Sequence, residues 1–479
     1  KLPSSQKIGS SKYWFSCLQL SILHPSCRRV CGGINLTLMI LVLFRTRRKQ
    51  RVHLISTRIL TIMRLTLLFA VVIGFISTSS RSLAEVAWPG WLGPNRNGWV
   101  SYFEPPKKWS KQLKQDWKVN VGDGYGTPVV NDGLIYLHTR QKDDEAIWCL
   151  NLETGKTKWR NHYSVPFKIG GGAEPHGKGP KANPTLANTR LFTMGITGVL
   201  SAWDAKSGTR LWTVDHRSKF GKRPHPYWGV ATSPLVINDR LYVHFGDDEK
   251  GFLAALDVET GREIWRHGKD GAAYASPLFA EFGGVRQIVE WNHEDLLGVE
   301  IQSGQLLWKY HLPHRGSNQN MPTPTIHNGH VLVGGENRGT RSVHPHIKDG
   351  KWVVTEKWHQ KRASLDMSTA VINNGQLYGM THQSLGRLFC IDTESGNIIW
   401  QGPGRVGQNV AFLSIPGHVV ALLDHGQLQI IEAKGAESKK VAQYKVADRS
   451  TWSAPVLLKD AILIKDRQEL IRWSFTKTK

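Results

Sequence analysis

The 479-residue chain is predicted to be all-β, an eight-bladed β-propeller of four-stranded antiparallel blades closed by pairing its N- and C-terminal strands. Three observations predict it. A turn-plus-tryptophan motif recurs at 149–159, 202–212, 255–265, 298–308 and 390–400. Between motifs a Ser/Thr/Asn-Pro step leads into an apolar strand, a polar turn and another apolar strand, as in 233–244. The 47 Gly and 19 Trp suit many short strands and tight turns better than long helices.

Each motif has a small residue, then Asn, Asp or Glu two positions on, Thr or Ser five on, Gly six on and Trp ten on. Asp-x-x-Thr-Gly is a hairpin turn: the acidic side chain accepts turn N–H groups and Gly supplies positive φ. Trp159, Trp212, Trp265, Trp308 and Trp400 then fall on the outgoing strand. There alternation aims each ring at the neighbouring sheet, and its N–H reaches for a backbone carbonyl. These five are read as structural.

Eight unit starts follow, at Thr127, Asn183, Ser233, Ser276, Thr323, Ser368, Ser414 and Ala454. Unit five replaces the acidic turn with Lys348-Asp-Gly-Lys-Trp352 ahead of Trp358. Unit seven degenerates at 432–435, with Tyr444 where Trp is expected. Unit eight ends at the strand 469–475 and lacks a closing strand, which 115–121, carrying Trp117, supplies. Such closure removes the exposed edges an open array would present.

Ahead of the propeller, assigned to 109–479, the chain divides into a leader at 1–62, a signal peptide at 63–84 and a lead-in segment at 85–108. Met63 and Arg64 precede an apolar run from 65 to 76, then Ser82-Leu83-Ala84 with small residues where a signal peptidase inspects. Export to the periplasm or medium with cleavage after Ala84 is expected. Residues 1–62 place a second apolar stretch and a basic cluster before a complete signal, so Met63 is read as the true start. The mature chain has no run long enough for a transmembrane segment.

The net charge of +24 is uneven, because residues 1–84 hold thirteen Lys or Arg and no Asp or Glu. The body has 49 basic against 38 acidic residues, a net +11, which a solvated surface explains without a nucleic-acid partner. Cys149 and Cys390 are the only cysteines after the signal. No Cys-x-x-Cys pair, disulfide ladder or acylated cysteine of a lipoprotein is expected.

The motif and its Pro-led strands resemble the tryptophan-docking repeats of quinoprotein alcohol dehydrogenases. They also resemble the propeller subunit of the outer-membrane barrel-assembly machine, over roughly 110–475. The opening 88–98 resembles the lead-in of exported pyrroloquinoline-quinone-like propellers. The resemblance implies a fold, and function must be argued from a site.

In a four-stranded meander, the inter-blade connections and the loops between strands two and three share one face. Its longest inter-blade loops run over 160–183 and 213–233, and long loops on a compact repeat bind something or cover the channel mouth. The candidate ligand-binding residues are Arg223, His225, Tyr227 and Trp228, with His176 and Lys178; a cation, an imidazole and two amphipathic rings within six residues make hot-spot chemistry. The loops Asp247-Asp248-Glu249, 292–295, 336–338, His382 and Asp424-His425 join the same face. His344-Pro-His346 is suggestive of a metal, yet no ligand spacing repeats, and no metal site is predicted. Gly170 to Gly172 lacks the Lys-Ser/Thr of a phosphate cradle, and no Gly-x-Ser-x-Gly elbow is present, so no catalytic residue is assigned.

Two functions follow. One is a monomeric scaffold that docks a protein, peptide or glycan through the loop face and needs no cofactor. The alternative, which the resemblance implies, is a dehydrogenase that uses pyrroloquinoline quinone and calcium to oxidise an alcohol. Such enzymes carry two adjacent cysteines under the cofactor, whereas Cys149 and Cys390 stand five blades apart. The residues favour binding over catalysis.

Overall fold

A computed structural model describes residues 87–316 and 319–475. The leader, the signal peptide and the cleavage site after Ala84 lie outside the described residues. Eight four-stranded antiparallel sheets follow one another along the chain. The first is Val129–Asn131, Leu134–Gln141, Asp144–Asn151 and Thr157–Ser164, and the next six start at Thr185, Leu235, Leu278, Thr325, Val371 and Val410. The eighth joins Val456–Leu457, Ala461–Lys465 and Glu469–Phe475 to Leu113–Asn120 from the other end of the propeller.

The hairpin turns form for the reason their composition gives. Asp204 Oδ1 accepts the Ser207 N–H and O–H at 2.7 Å each, Asp257 holds Thr260 at 2.8 and 2.7 Å, and Asp392 holds Ser395 likewise. These hydrogen bonds keep all three carboxyls below their ordinary range. After each turn the small residue faces the tryptophan, as in Ala202 opposite Trp212 and Cys149 opposite Trp159, and the ladder slips one step immediately beyond.

Each docked ring covers the turn glycine of the next blade. Trp159 donates to the Ala205 carbonyl at 3.1 Å, Trp212 to Val258 at 3.1 Å, Trp265 to Ile301 at 3.3 Å and Trp358 to Thr393 at 3.0 Å. Their rings lie over Gly208, Gly261, Gly304 and Gly396. Trp117 does the same across the ring closure, donating to Leu152 at 3.1 Å above Gly155.

Trp308 departs from the expected docking. Blade five has no Asp-x-x-Thr-Gly turn; its third and fourth strands, Thr340–Lys348 and Lys351–Gln360, form a longer hairpin. Trp308 therefore donates to the Gln287 side chain of its own blade. Trp400 shares a core cluster with Ile431 and Ala433 of blade seven.

Two unit-seven readings need correction. Its first strand is Val410–Ile415, so the blade starts four residues before Ser414; no proline marks the entry. Nor does Tyr444 replace the tryptophan. The longer turn shifts the register by two, so Ala442 opposes Ile430 at the docking position, while Tyr444 opposes Leu428 and donates to the Ser110 carbonyl at 2.9 Å.

Ring closure starts two residues earlier than the sequence suggested. Leu113–Asn120 pairs antiparallel with Glu469–Phe475, with a bulge between Gln115 and Trp117. Arg472 sits in this seam, bonded to Asp116 and to Glu153 of blade one. The buried Lys465 ammonium donates to the carbonyls of Gly122 and Gly124 at 3.2 and 3.1 Å, fastening the incoming chain to blade eight.

The lead-in crosses the end of the propeller that carries the strand one to two turns. Trp88 exchanges backbone hydrogen bonds with Val130, Pro89 accepts from Leu186, and Gly98 and Val100 bracket Ser414 of blade seven. Midway, the Arg96 guanidinium donates to the carbonyls of Pro234, Ser233 and Pro277 at 2.9, 3.2 and 3.3 Å. The segment is thus ordered both by satisfying backbone groups on five blades and by burying Trp88, Leu92, Val100 and Phe103 in the core.

Candidate functional site

With that end crossed by the lead-in, the central channel keeps a cavity of about 230 Å³. The segments entering all eight blades line it, through Tyr125, Lys181, Ala231, Tyr274, Met321, Met367, Asn409 and Trp452, together with Trp91 and Leu92 of the lead-in and Phe412 of blade seven. No Asp or Glu is among the described residues that line it.

The candidate loop residues gather around the mouth of this channel and divide into two kinds. Arg223 is exposed, with its guanidinium 4.8 Å above the Tyr227 ring and ion-paired to Asp248. Tyr227 donates its hydroxyl to the Gly171 carbonyl at 2.7 Å, so the two long loops are tied to each other. Trp228 lines the cavity and donates its backbone N–H to the Tyr274 hydroxyl at 2.9 Å. Lys178 is exposed.

His225 takes a different place from the one expected of a surface contact. It is only 7% exposed and packs 5.2 Å from the Phe167 ring. Its Nδ1 lies 2.9 Å from the Pro226 carbonyl, so that nitrogen carries the proton. Burial pushes its pKa down. His225 positions the loop.

His176 stands at the end of a short 3-10 turn, Glu174–His176. Its ring meets Trp228 at 5.3 Å and Trp452 at 4.7 Å, both edge-on. Burial and then Lys181 lower its pKa. A neutral imidazole between two indoles is an apolar wall with a polar tip.

A second, more open groove of about 700 Å³ lies beside the mouth, lined by Tyr227, Trp228, Asp248, Glu249, His293 and His314 among others. The two imidazoles stack at 4.3 Å. The groove is acidic where the channel is cationic. His344 and His346 lie elsewhere, on the long hairpin of blade five, beside His330.

The loop face was legible in the sequence, but the cavity was not. One positional signal marks it. Tyr125, Lys181, Ala231, Tyr274, Met321 and Trp452 each stand two residues before the Pro-step residue of their unit.

Eight four-stranded sheets around a capped channel, five of them with an indole docked on the next blade's turn, define a β-propeller whose repeat is similar to the pyrroloquinoline-quinone-like type. The family model described as "Outer membrane protein assembly factor BamB" matches residues 168–402. A protein of that name from Moranella endobia is 25% identical over 69% of this chain and 84% of its own length. Another from Shewanella oneidensis is 23% identical over 73% and 86%. The quinohemoprotein alcohol dehydrogenase ADH-IIG of Pseudomonas putida is 27% identical over 39% of this chain but only 26% of its own length.

Among solved structures, BamB from Moraxella catarrhalis superposes with a TM-score of 0.55 at 12% identity, over 77% of this chain and 99% of that one. The Pseudomonas putida dehydrogenase gives 0.61 at 14% identity, over 82% and 81%. At such identities the likeness is one of fold.

Proposed function

We propose that this chain is an exported, monomeric propeller scaffold that binds a protein partner through its inter-blade loop face. The observation that carries the reading is the extent of its likeness: relatives named as assembly factors are matched over 84% and 86% of their length, the dehydrogenase over 26%. The face suits the task. Arg223, Tyr227 and Trp228 with His176 and Lys178 present cations and amphipathic rings on loops tied together by the Tyr227 to Gly171 hydrogen bond, so less disorder is lost on docking. His225 holds them from beneath.

Residues needed for the dehydrogenase reading do not fit. Cys149 and Cys390 are buried free thiols in blades one and six, and among the described residues no carboxylate lines the cavity to hold calcium or act as a base.

A photo-crosslinking residue at 178 or 223 tests the proposal, with position 329, in a turn on the opposite face, as control. Expected is a discrete envelope-protein adduct, or a glycan adduct if the partner is a sugar, from the first two alone. Equal adducts from 329, or none from any position, would refute the loop-face reading.

A further inference from the structure

Blade five carries histidines that neither the tryptophan docking nor the loop face uses. His327 and His330 oppose each other on its first two strands. The His330 ring meets His344 of the third strand at 4.7 Å, and His344 meets His346 at 4.8 Å. His344 and His346 are alternate residues of the strand Thr340–Lys348, so both rings leave the same face, and both are half-buried. No ligand spacing repeats along the chain because this row is assembled across strands.

The nitrogens of the row are free to ligate. His346 Nδ1 lies 3.1 Å from the His344 carbonyl, so it carries the proton and leaves Nε2 with a lone pair. Among the described residues the His344 ring is held by its two ring contacts rather than by a hydrogen bond. Burial, and after it a neighbouring imidazole, lowers the pKa of His344 and of His330, which favours the neutral form that binds metal. The charged groups beside them, Lys357 and Glu394, are paired with each other. Thr355 opposes His344 and Val353 opposes His346 on the outer strand, so imidazole is the donor this face offers.

The spacing fits one ion. Two imidazoles bound at about 2.1 Å place their ring centres roughly 4.5 to 5.2 Å apart, for angles from square-planar to tetrahedral. His344 and His346 fall inside that span. The flatter stack of His293 on His314, at 4.3 Å, falls below it, and His293 Nε2 is already turned to Gln319. We propose that this face of blade five binds one divalent transition-metal ion, of the zinc, nickel or copper class, through the imidazoles of His344 and His346. Among the described residues no group of three His, Cys, Asp or Glu side chains is arranged to hold a metal, so the ion takes two protein ligands and keeps its other positions for water. The site stands apart from the partner reading, since its ligands lie on the long hairpin and not on the inter-blade loops.

The test uses the untagged, purified full chain with the chlorides of Cu²⁺, Zn²⁺ and Ca²⁺, followed by calorimetry. Cu²⁺ should bind at least about tenfold more tightly than Zn²⁺, and Ca²⁺, which takes oxygen ligands, should give no measurable uptake. His344→Phe and His346→Phe should each weaken Zn²⁺ at least about tenfold, while His314→Phe stays within about twofold of the parent. The parent alone gives a second readout: with one equivalent of Cu²⁺ and ascorbate, oxidation read by peptide mass analysis should fall first on His344 and His346. No uptake of Cu²⁺ or Zn²⁺, binding that survives His344→Phe, a loss with His314→Phe as large as with His344→Phe, or oxidation centred on His293 and His314 would overturn the proposal. The oxidation map decides the matter even if a variant fails to fold.

Discussion

Trp159 of the first blade lies over Gly208 of the second so closely that a β-carbon at 208 would sit 2.5 Å from the indole ring. The two most regular letters of the repeat are therefore one contact, made between neighbours. Gly208 also has φ +75°, which an L side chain adopts only at a cost. Gly329 has φ +76° with nothing within 4 Å of its would-be β-carbon. Gly329→Ala should cost about 1 to 2 kcal/mol, the backbone strain alone. Gly208→Ala should cost at least about 1 kcal/mol more, because the indole must move. Chemical denaturation of both variants checks the difference, and equal costs would disprove the contact.

Trp212→Ala and Trp265→Ala should each destabilise the propeller by about 3 to 5 kcal/mol, the usual price of truncating a large buried aromatic. Each also abandons a hydrogen bond to the next blade, to Val258 or Ile301. Trp308→Phe should behave differently from Trp212→Phe. The first leaves a buried Gln287 side chain without its donor, and the second frees a carbonyl at a turn. Restoring stability to Trp308→Phe by adding Gln287→Leu, measured as a double-mutant cycle, would confirm that this indole bonds within its own blade.

What the sequence disclosed and what it hid follow from range. The Asp, Thr and Gly of a turn act on residues within four positions, so Asp257 with Thr260 is readable locally. Trp308 misled because its dock depends on a turn one blade later. Tyr444 misled because two inserted turn residues move the ladder, which leaves Ala442 in the tryptophan's place. Lys181 carries no local sign of its place on the channel cavity, whose lining is drawn from the entries of all eight blades. His225, flanked by prolines, gave no sign that Phe167 would cover it.

Closure makes its own prediction. Arg472 is buried in the seam, joining Asp116 of the N-terminal strand to Glu153 of blade one. Arg472→Met keeps much of the apolar stem but strips Asp116 of its main partner, so a loss of about 2 to 3 kcal/mol is expected, below the full cost of an isolated buried charge because Ser474 still donates to Asp116. The loss should be local. Hydrogen exchange should rise first in 113–120 and 469–475, and uniform acceleration across all eight blades would show that the seam is not where the ring opens.

Acid should loosen the loop face before it unfolds the blades. His176, His225 and His293 all have pKa values pushed down, burial being the largest cause in each. In the unfolded chain they return to about 6.5, so below that pH the unfolded state binds more protons and stability falls as pH falls. Each contributes up to about 1.4 kcal/mol per pH unit between its two values. The turn carboxylates act in the same sense but in another window: Asp204, Asp257 and Asp392 are depressed, so their contribution is lost only as pH drops below about 4. Buried Lys465 and Lys181, depressed to about 7 and about 8, act in the same sense but above the histidine window. Melting between pH 6.5 and 5 should therefore report mainly the histidines, with exchange rising first in 165–178 and 220–230. His225→Phe places a second ring against Phe167 and removes one titrating group. Its melting temperature should depend less steeply on pH than the parent's over that interval, whatever its absolute value, and an unchanged slope would mean that His225 does not titrate with unfolding.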